Sequence, residues 1–82
     1  MKIRKQEYGQ ANMVGRNIEK LRILKGIKQK DFIAQMQIMD CDINPTSYSK
    51  LEGQIRSATD KEIFVISKIL NIPMEKLFED NI

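Results

Sequence analysis

The chain has 82 residues and a formal net charge of +3, which gives room for one domain with a small core. It has no His and one Cys, Cys41, which excludes an internal disulfide, zinc-type ligand spacing and most nucleophilic or metal chemistry. No stretch reaches the roughly 18 consecutive apolar residues of a membrane span, and the N-terminus lacks the apolar run of a secretory signal. The expectation is a cytoplasmic protein that is not an enzyme and holds no cofactor or metal.

Residues 1–12 are polar and basic, with Lys2, Arg4 and Lys5, show no period and contain Gly9. They read as a flexible arm, either disordered or reaching along a ligand. The domain proper is expected over residues 13–78, with 79–82 a tail. A first helix is predicted from Met13 to Lys25. Val14, Ile18 and Leu21 form its inward stripe, and Gly26 ends it. Arg22 falls on the edge of that inward face.

A second helix is predicted over Gln29–Met39, with Phe32, Ile33, Met36 and Met39 at helical spacing. Lys28 and Lys30 stand at its start, where the helix dipole already places positive charge. Two cations and Gln29 at that end suit an anion such as a phosphate. A turn through Asp40 to Ile43 follows. Asn44 then reads as an N-cap, Pro45 as the first helical residue and Gly53 as a stop or as the left-handed residue at the end. On this third helix Tyr48, Leu51 and Ile55 fall inward, whereas Thr46 and Lys50 fall outward with Ser47 and Ser49 beside them. Such a face suits base edges and phosphates in a major groove, although an ordinary solvated helix face has the same composition. Glu52 lies on the edge of the inward face. Arg22 and Glu52, each half-turned toward a common core, should meet.

Thr59-Asp60-Lys61-Glu62 fits a capping box at the start of a fourth helix. Its body is apolar nearly all round. Ile63, Ile66 and Leu70 can face the core, which leaves Phe64, Val65 and Ile69 for a self-association surface. A short fifth helix is predicted from Pro73 to about Phe78, with Leu77 and Phe78 closing the core. The five Met residues read as core filler.

Gln29-Lys30-Asp31-Phe32-Ile33-Ala34, then Tyr48-Ser49-Lys50-Leu51-Glu52, then Leu70-Asn71-Ile72 and Leu77-Phe78 together resemble the Cro/repressor-type (XRE) helix-turn-helix family. The resemblance covers about residues 13 to 78. It implies an all-α, compact five-helix repressor-like DNA-binding domain whose third helix enters the major groove, and it also implies the Arg22–Glu52 pairing. The sequence departs from the family pattern in a longer segment between Phe32 and Glu52. Asp40 stands at about the place of the family's usual turn Gly, and Gly53 lies one residue after the Glu rather than two.

The charge is unevenly distributed. Residues 1–56 carry eleven Lys/Arg against six Asp/Glu, a net of +5, whereas residues 57–82 carry three against five, a net of −2. A basic part followed by an acidic end suits an oriented polyanion binder. The leading expectation is a sequence-specific regulator, a repressor before an activator, that binds double-stranded DNA as a homodimer. Base contacts are expected from Asn44, Thr46, Ser47, Ser49 and Lys50, and backbone contacts from Lys28, Gln29, Lys30 and Arg56. The dimer contact is expected at Phe64, Val65 and Ile69. The alternatives are an antitoxin-like module that neutralises a partner protein and a scaffold domain without DNA binding.

Overall fold

A computed structural model describes residues 7–80. Among them are four α-helices, α1 (Gly15–Leu24), α2 (Gln29–Ile38), α3 (Pro45–Glu52) and α4 (Asp60–Leu70), followed by a 3-10 helix at Met74–Phe78 and no strand. The all-α expectation holds, but the fifth element is a single 3-10 stretch. Pro73 is extended (φ −64°, ψ 147°) and precedes this element instead of opening it.

Each helix contributes its apolar stripe to one core. Ile18 comes from α1, Phe32 and Met36 from α2, Tyr48 and Leu51 from α3, Ile66 and Leu70 from α4, and Leu77 from the 3-10 helix; all are fully buried. Burying a side chain of this size stabilises the fold by about 1.5–3 kcal/mol. The Phe32 and Tyr48 rings pack tilted, with centroids 5.7 Å apart. α1 packs on α3, α4 and the 3-10 helix, and α2 packs on α3 and α4. The short α3 is thereby seated against both of the first two helices.

The helix ends follow local chemistry. At α3, Asn44 Oδ1 accepts from the Ser47 N–H at 2.8 Å, with Pro45 in the first helical position. At α4, the Thr59 hydroxyl accepts from the Glu62 N–H at 3.1 Å while the Glu62 carboxylate accepts from the Thr59 N–H at 2.9 Å. Gly26 adopts φ +71° after α1, and the Ile27 N–H reaches back to the Arg22 carbonyl at 3.1 Å. Asp40, in the turn between α2 and α3, is left-handed at φ 63°. Asp can adopt that conformation where Gly would be the default.

Several expectations need correction. α1 begins at Gly15, because the Asn12 side chain accepts from the N–H groups of Val14 (3.0 Å) and Gly15 (2.8 Å) and starts the helix there. Gly53 does stop α3 as its C-cap but is right-handed (φ −77°), and the left-handed residue after it is Gln54 (φ 59°). The chain therefore leaves the helical path before Ile55, which is 53% exposed. Val65 is 3% exposed and belongs to the core, since α4 lies between α1, α2 and the 3-10 helix and most of its circumference is covered. Phe78 is 42% exposed and lies outside the core, which Leu77 closes. Of the methionines described, Met36 is buried while Met13, Met39 and Met74 are exposed.

The arm expected over residues 1–12 falls partly outside the described residues. Residues 9–12 within it are held. The Gly9 N–H donates to the Gly53 carbonyl (2.8 Å) and the Ala11 N–H to the Gln54 carbonyl (2.9 Å). Gly9 permits this close approach, because a Cβ there would stand 2.4 Å from the Gln54 oxygen.

Candidate nucleic-acid interface

The candidate surface is the outward side of α3 and the start of α2. Asn44, Thr46, Ser49 and Lys50 are exposed and Ser47 is half-buried. Tyr48, Leu51 and Glu52, on the opposite side of the helix, are buried. The helical period thus separates the two sides as the spacing predicts. Ser47 is the residue of this set most tied to the fold, with its N–H held by Asn44 and its carbonyl accepting from Arg56 Nε at 3.0 Å.

α2 starts without a side-chain cap. The exposed Lys28 and Lys30 stand at its start beside the exposed Asp31, whose N–H donates to the Lys28 carbonyl at 3.1 Å, and the helix dipole adds positive charge there. Gln29 donates its amide to Glu52 Oε1 at 2.9 Å. That bond fastens the start of α2 to the last residue of α3, so Lys28 and Lys30 lie at the end of α3 that carries Lys50. Among the described residues, Lys28, Lys30 and Lys50 form no salt bridge. Three cations without a salt bridge, and the hydroxyls beside Lys50 on α3, can donate to phosphate oxygens and to base acceptors.

A buried polar network supports α3 from behind. Arg22 Nε meets Glu52 Oε2 at 2.7 Å and Arg22 Nη2 meets Glu52 Oε1 at 3.1 Å, with side chains 7% and 0% exposed. The Tyr48 hydroxyl donates to Glu52 Oε2, and Arg22 Nη1 donates to the Ile27 carbonyl at 2.7 Å. Glu52 thus accepts from Arg22, Tyr48 and Gln29 together. Burial by itself would lower the Arg22 pKa, but the hydrogen bond and charge of Glu52 outweigh it and raise the value. Burial first, and then the negative charge of Glu52, push the Tyr48 hydroxyl well above its ordinary value, so Tyr48 stays a donor. Burial also pushes up the Cys41 thiol, which keeps it protonated.

Two residues expected on the DNA backbone are also bonded within the fold. The Gln29 amide is on Glu52. Arg56 Nη1 and Nη2 grip the Glu62 carboxylate at 3.0 and 2.7 Å, while its Nε holds Ser47. Arg56 thereby joins the first turn of α3 to the start of α4. Burial alone would raise the Glu62 carboxyl, but hydrogen bonds from Arg56 and Thr59, with the charge of Arg56, hold it below its usual range.

Of the residues expected at a dimer contact, Val65 is buried, Ile69 half-buried and Phe64 49% exposed. Phe64 lines an open groove with Asp60, Lys61 and Met74, and the Lys68 ammonium lies over its ring at 5.1 Å.

Residues missing from the expected set are Asn12, Gly15, Asn17 and Gln54. The Asn17 amide donates to the Leu77 and Glu79 carbonyls, both at 2.7 Å, and ties α1 to the C-terminal segment. Asn12 carried a usable signal, because an Asn just before an apolar helical stripe is a cap candidate. The others act on groups far away in sequence and carry no local signal.

No protein-family model, curated protein or solved structure matches the chain.

Proposed function

We propose that the chain is a sequence-specific DNA-binding transcriptional regulator that places α3 in the major groove, with α2, the Asp40 turn and α3 as a helix-turn-helix. The observation that carries this reading is the two-sidedness of α3. Its outward side offers Thr46, Ser49 and Lys50 to solvent, and its inward side is fixed by Arg22, Tyr48 and Gln29 on a buried Glu52. A rigid eight-residue helix with an unpaired polar outer face is what base readout requires. Thr46 and Lys50 read bases, Asn44 and Ser49 flank them, and Lys28 and Lys30 hold phosphates. The resemblance to Cro/repressor-type regulators agrees with this assignment and favours repression from a cytoplasmic homodimer. The left-handed Asp40 supplies the turn conformation for which that family uses Gly.

Phe64 and Met74, apolar and exposed beside Asp60 and Lys61 of opposite charge, support self-association. A two-fold interface brings such a patch against itself, and adjacent opposite charges can pair across the axis. The same patch supports the second reading, an antitoxin-like module that neutralises another protein.

Binding to a duplex library with a randomised site, measured at several salt concentrations, tests the proposal. The expected result is a preferred sequence and an affinity that falls steeply with salt as phosphate counterions are released. No preference and no salt dependence would reject DNA as the ligand of α3.

A further inference from the structure

We propose that residues 8–12 are a strap that sets the position of α3, with Asn12 as its positioning residue; this rests on the reading of α3 as the helix that enters DNA. α3 has eight residues, too few to be stable without external support. Its first turn is capped internally by Asn44. The Ser49, Lys50 and Leu51 carbonyls at its end accept from the N–H groups of Gly53, Ile55 and Gln54, but the carbonyls of the turn after it need partners from elsewhere.

The N-terminal segment supplies them. The Gly53 carbonyl accepts from the Gly9 N–H (2.8 Å) and the Gln54 carbonyl from the Ala11 N–H (2.9 Å). The Asn12 amide donates to the Leu51 carbonyl (3.0 Å) and the Arg56 carbonyl (2.8 Å). Gln54, held left-handed at φ 59°, returns its own amide to the Gly9 carbonyl (2.9 Å) and accepts from the Arg16 N–H (3.0 Å). Tyr8 extends the attachment onto α1, where its hydroxyl donates to Glu19 and the Arg16 guanidinium lies over its ring at 4.8 Å.

Asn12 is the joint. One side-chain amide accepts from Val14 and Gly15 at the start of α1 and donates to Leu51 and Arg56 at the end of α3. Two glycines let the backbones approach this closely. A Cβ on Gly9 would stand 2.4 Å from the Gln54 oxygen, and one on Gly15 would stand 2.3 Å from the Leu51 oxygen. The Arg56 carbonyl is held by Asn12 while the Arg56 guanidinium holds the Ser47 carbonyl, so the strap reaches the first turn of α3 through a single residue.

Base readout depends on donors placed within about 0.5 Å, whereas phosphate attraction tolerates small displacements. A loosened strap therefore costs sequence preference before it costs general affinity.

The test uses the full chain with Asn12→Ser, which keeps a capping oxygen for α1 but loses the amide donors, and Gly9→Ala, which pushes the strap from its seat. In both variants the amides of Gly53, Gln54 and Ile55 are expected to exchange hydrogen about tenfold faster relative to the amides of α4, the size expected from losing one or two hydrogen bonds. The ratio of specific to non-specific DNA affinity is expected to fall about tenfold, with the salt slope unchanged. Equal acceleration in α3 and α4, or unchanged exchange at the end of α3, overturns the strap. Local acceleration with an unchanged affinity ratio overturns its role in positioning. If the wild type itself shows no sequence preference, the reading of α3 has failed, and the exchange measurement still decides whether the strap holds the helix.

Discussion

Replacing Arg22 by Met should expose how much the α1–α3 connection depends on one buried charge pair. In the wild type the Glu52 carboxylate is fully buried and accepts from Arg22 Nε and Nη2, from Tyr48 and from Gln29. Arg22→Met removes the only cation of this set and leaves the carboxylate in place. Breaking one side of a buried pair costs about 3–5 kcal/mol. The lower end applies here, because Tyr48 and Gln29 still donate to the stranded oxygens. The apparent loss should be about 3 kcal/mol, which for a urea slope of about 1–3 kcal/mol per molar moves the midpoint down by about 1–3 M. Replacing Arg22 and Glu52 together by apolar residues should recover only part of this loss, because Tyr48 and Gln29 then lose their acceptor and an unsatisfied buried donor costs about 1–3 kcal/mol. Adding Tyr48→Phe to the double variant should recover more. Urea unfolding followed by circular dichroism, run on the single, double and triple variants, measures each step. An unchanged midpoint for Arg22→Met would refute the reasoning.

Three further outcomes are expected. In the randomised-site assay, Lys50→Ala should relax preference at one position of each half-site, at a cost of about 1–3 kcal/mol there. Lys30→Ala should weaken all sequences alike and lower the salt slope by about one; the reverse pattern would overturn the division of roles. Sedimentation should show a dimer in the wild type and a monomer in Phe64→Glu, and a wild type that stays monomeric at high concentration, with or without DNA, would remove α4 as the contact. Because Glu62 is held below its unfolded value of about 4.5, its contribution to stability is present above that value and is lost as pH falls through the lower, folded one. Stability should therefore fall on acidification below about pH 4.5 more steeply in the wild type than in Glu62→Gln; equal slopes in the two proteins would contradict the assignment.

Much of this architecture is legible from residues three or four apart. Asn44 with Ser47, Thr59 with Glu62, and Gly26 after α1 each act within one helical turn, so their side-chain chemistry places the helix ends almost independently of the rest of the chain. The inward stripes of α1 to α3 and the Arg22–Glu52 meeting are legible for a related reason: helical period puts each residue on a known face, and two opposite charges at the margin of one core have few other partners. The outward row of Thr46, Ser49 and Lys50 follows from the same period. The remainder involves groups 23 to 62 positions apart. Gly9 looks like a mark of mobility, and Gly15 looks like a weak helix residue, until the α3 carbonyls arrive where their Cβ atoms would stand. That the Gln29 amide also reaches Glu52 carries no local signal. Val65 looks surplus until α4 proves to be covered on several sides. Local propensity constrains a helix and its faces. How close two helices come, and which polar groups then lack water and must find each other, depends on the summed packing of all the elements, and no short stretch of this chain encodes it.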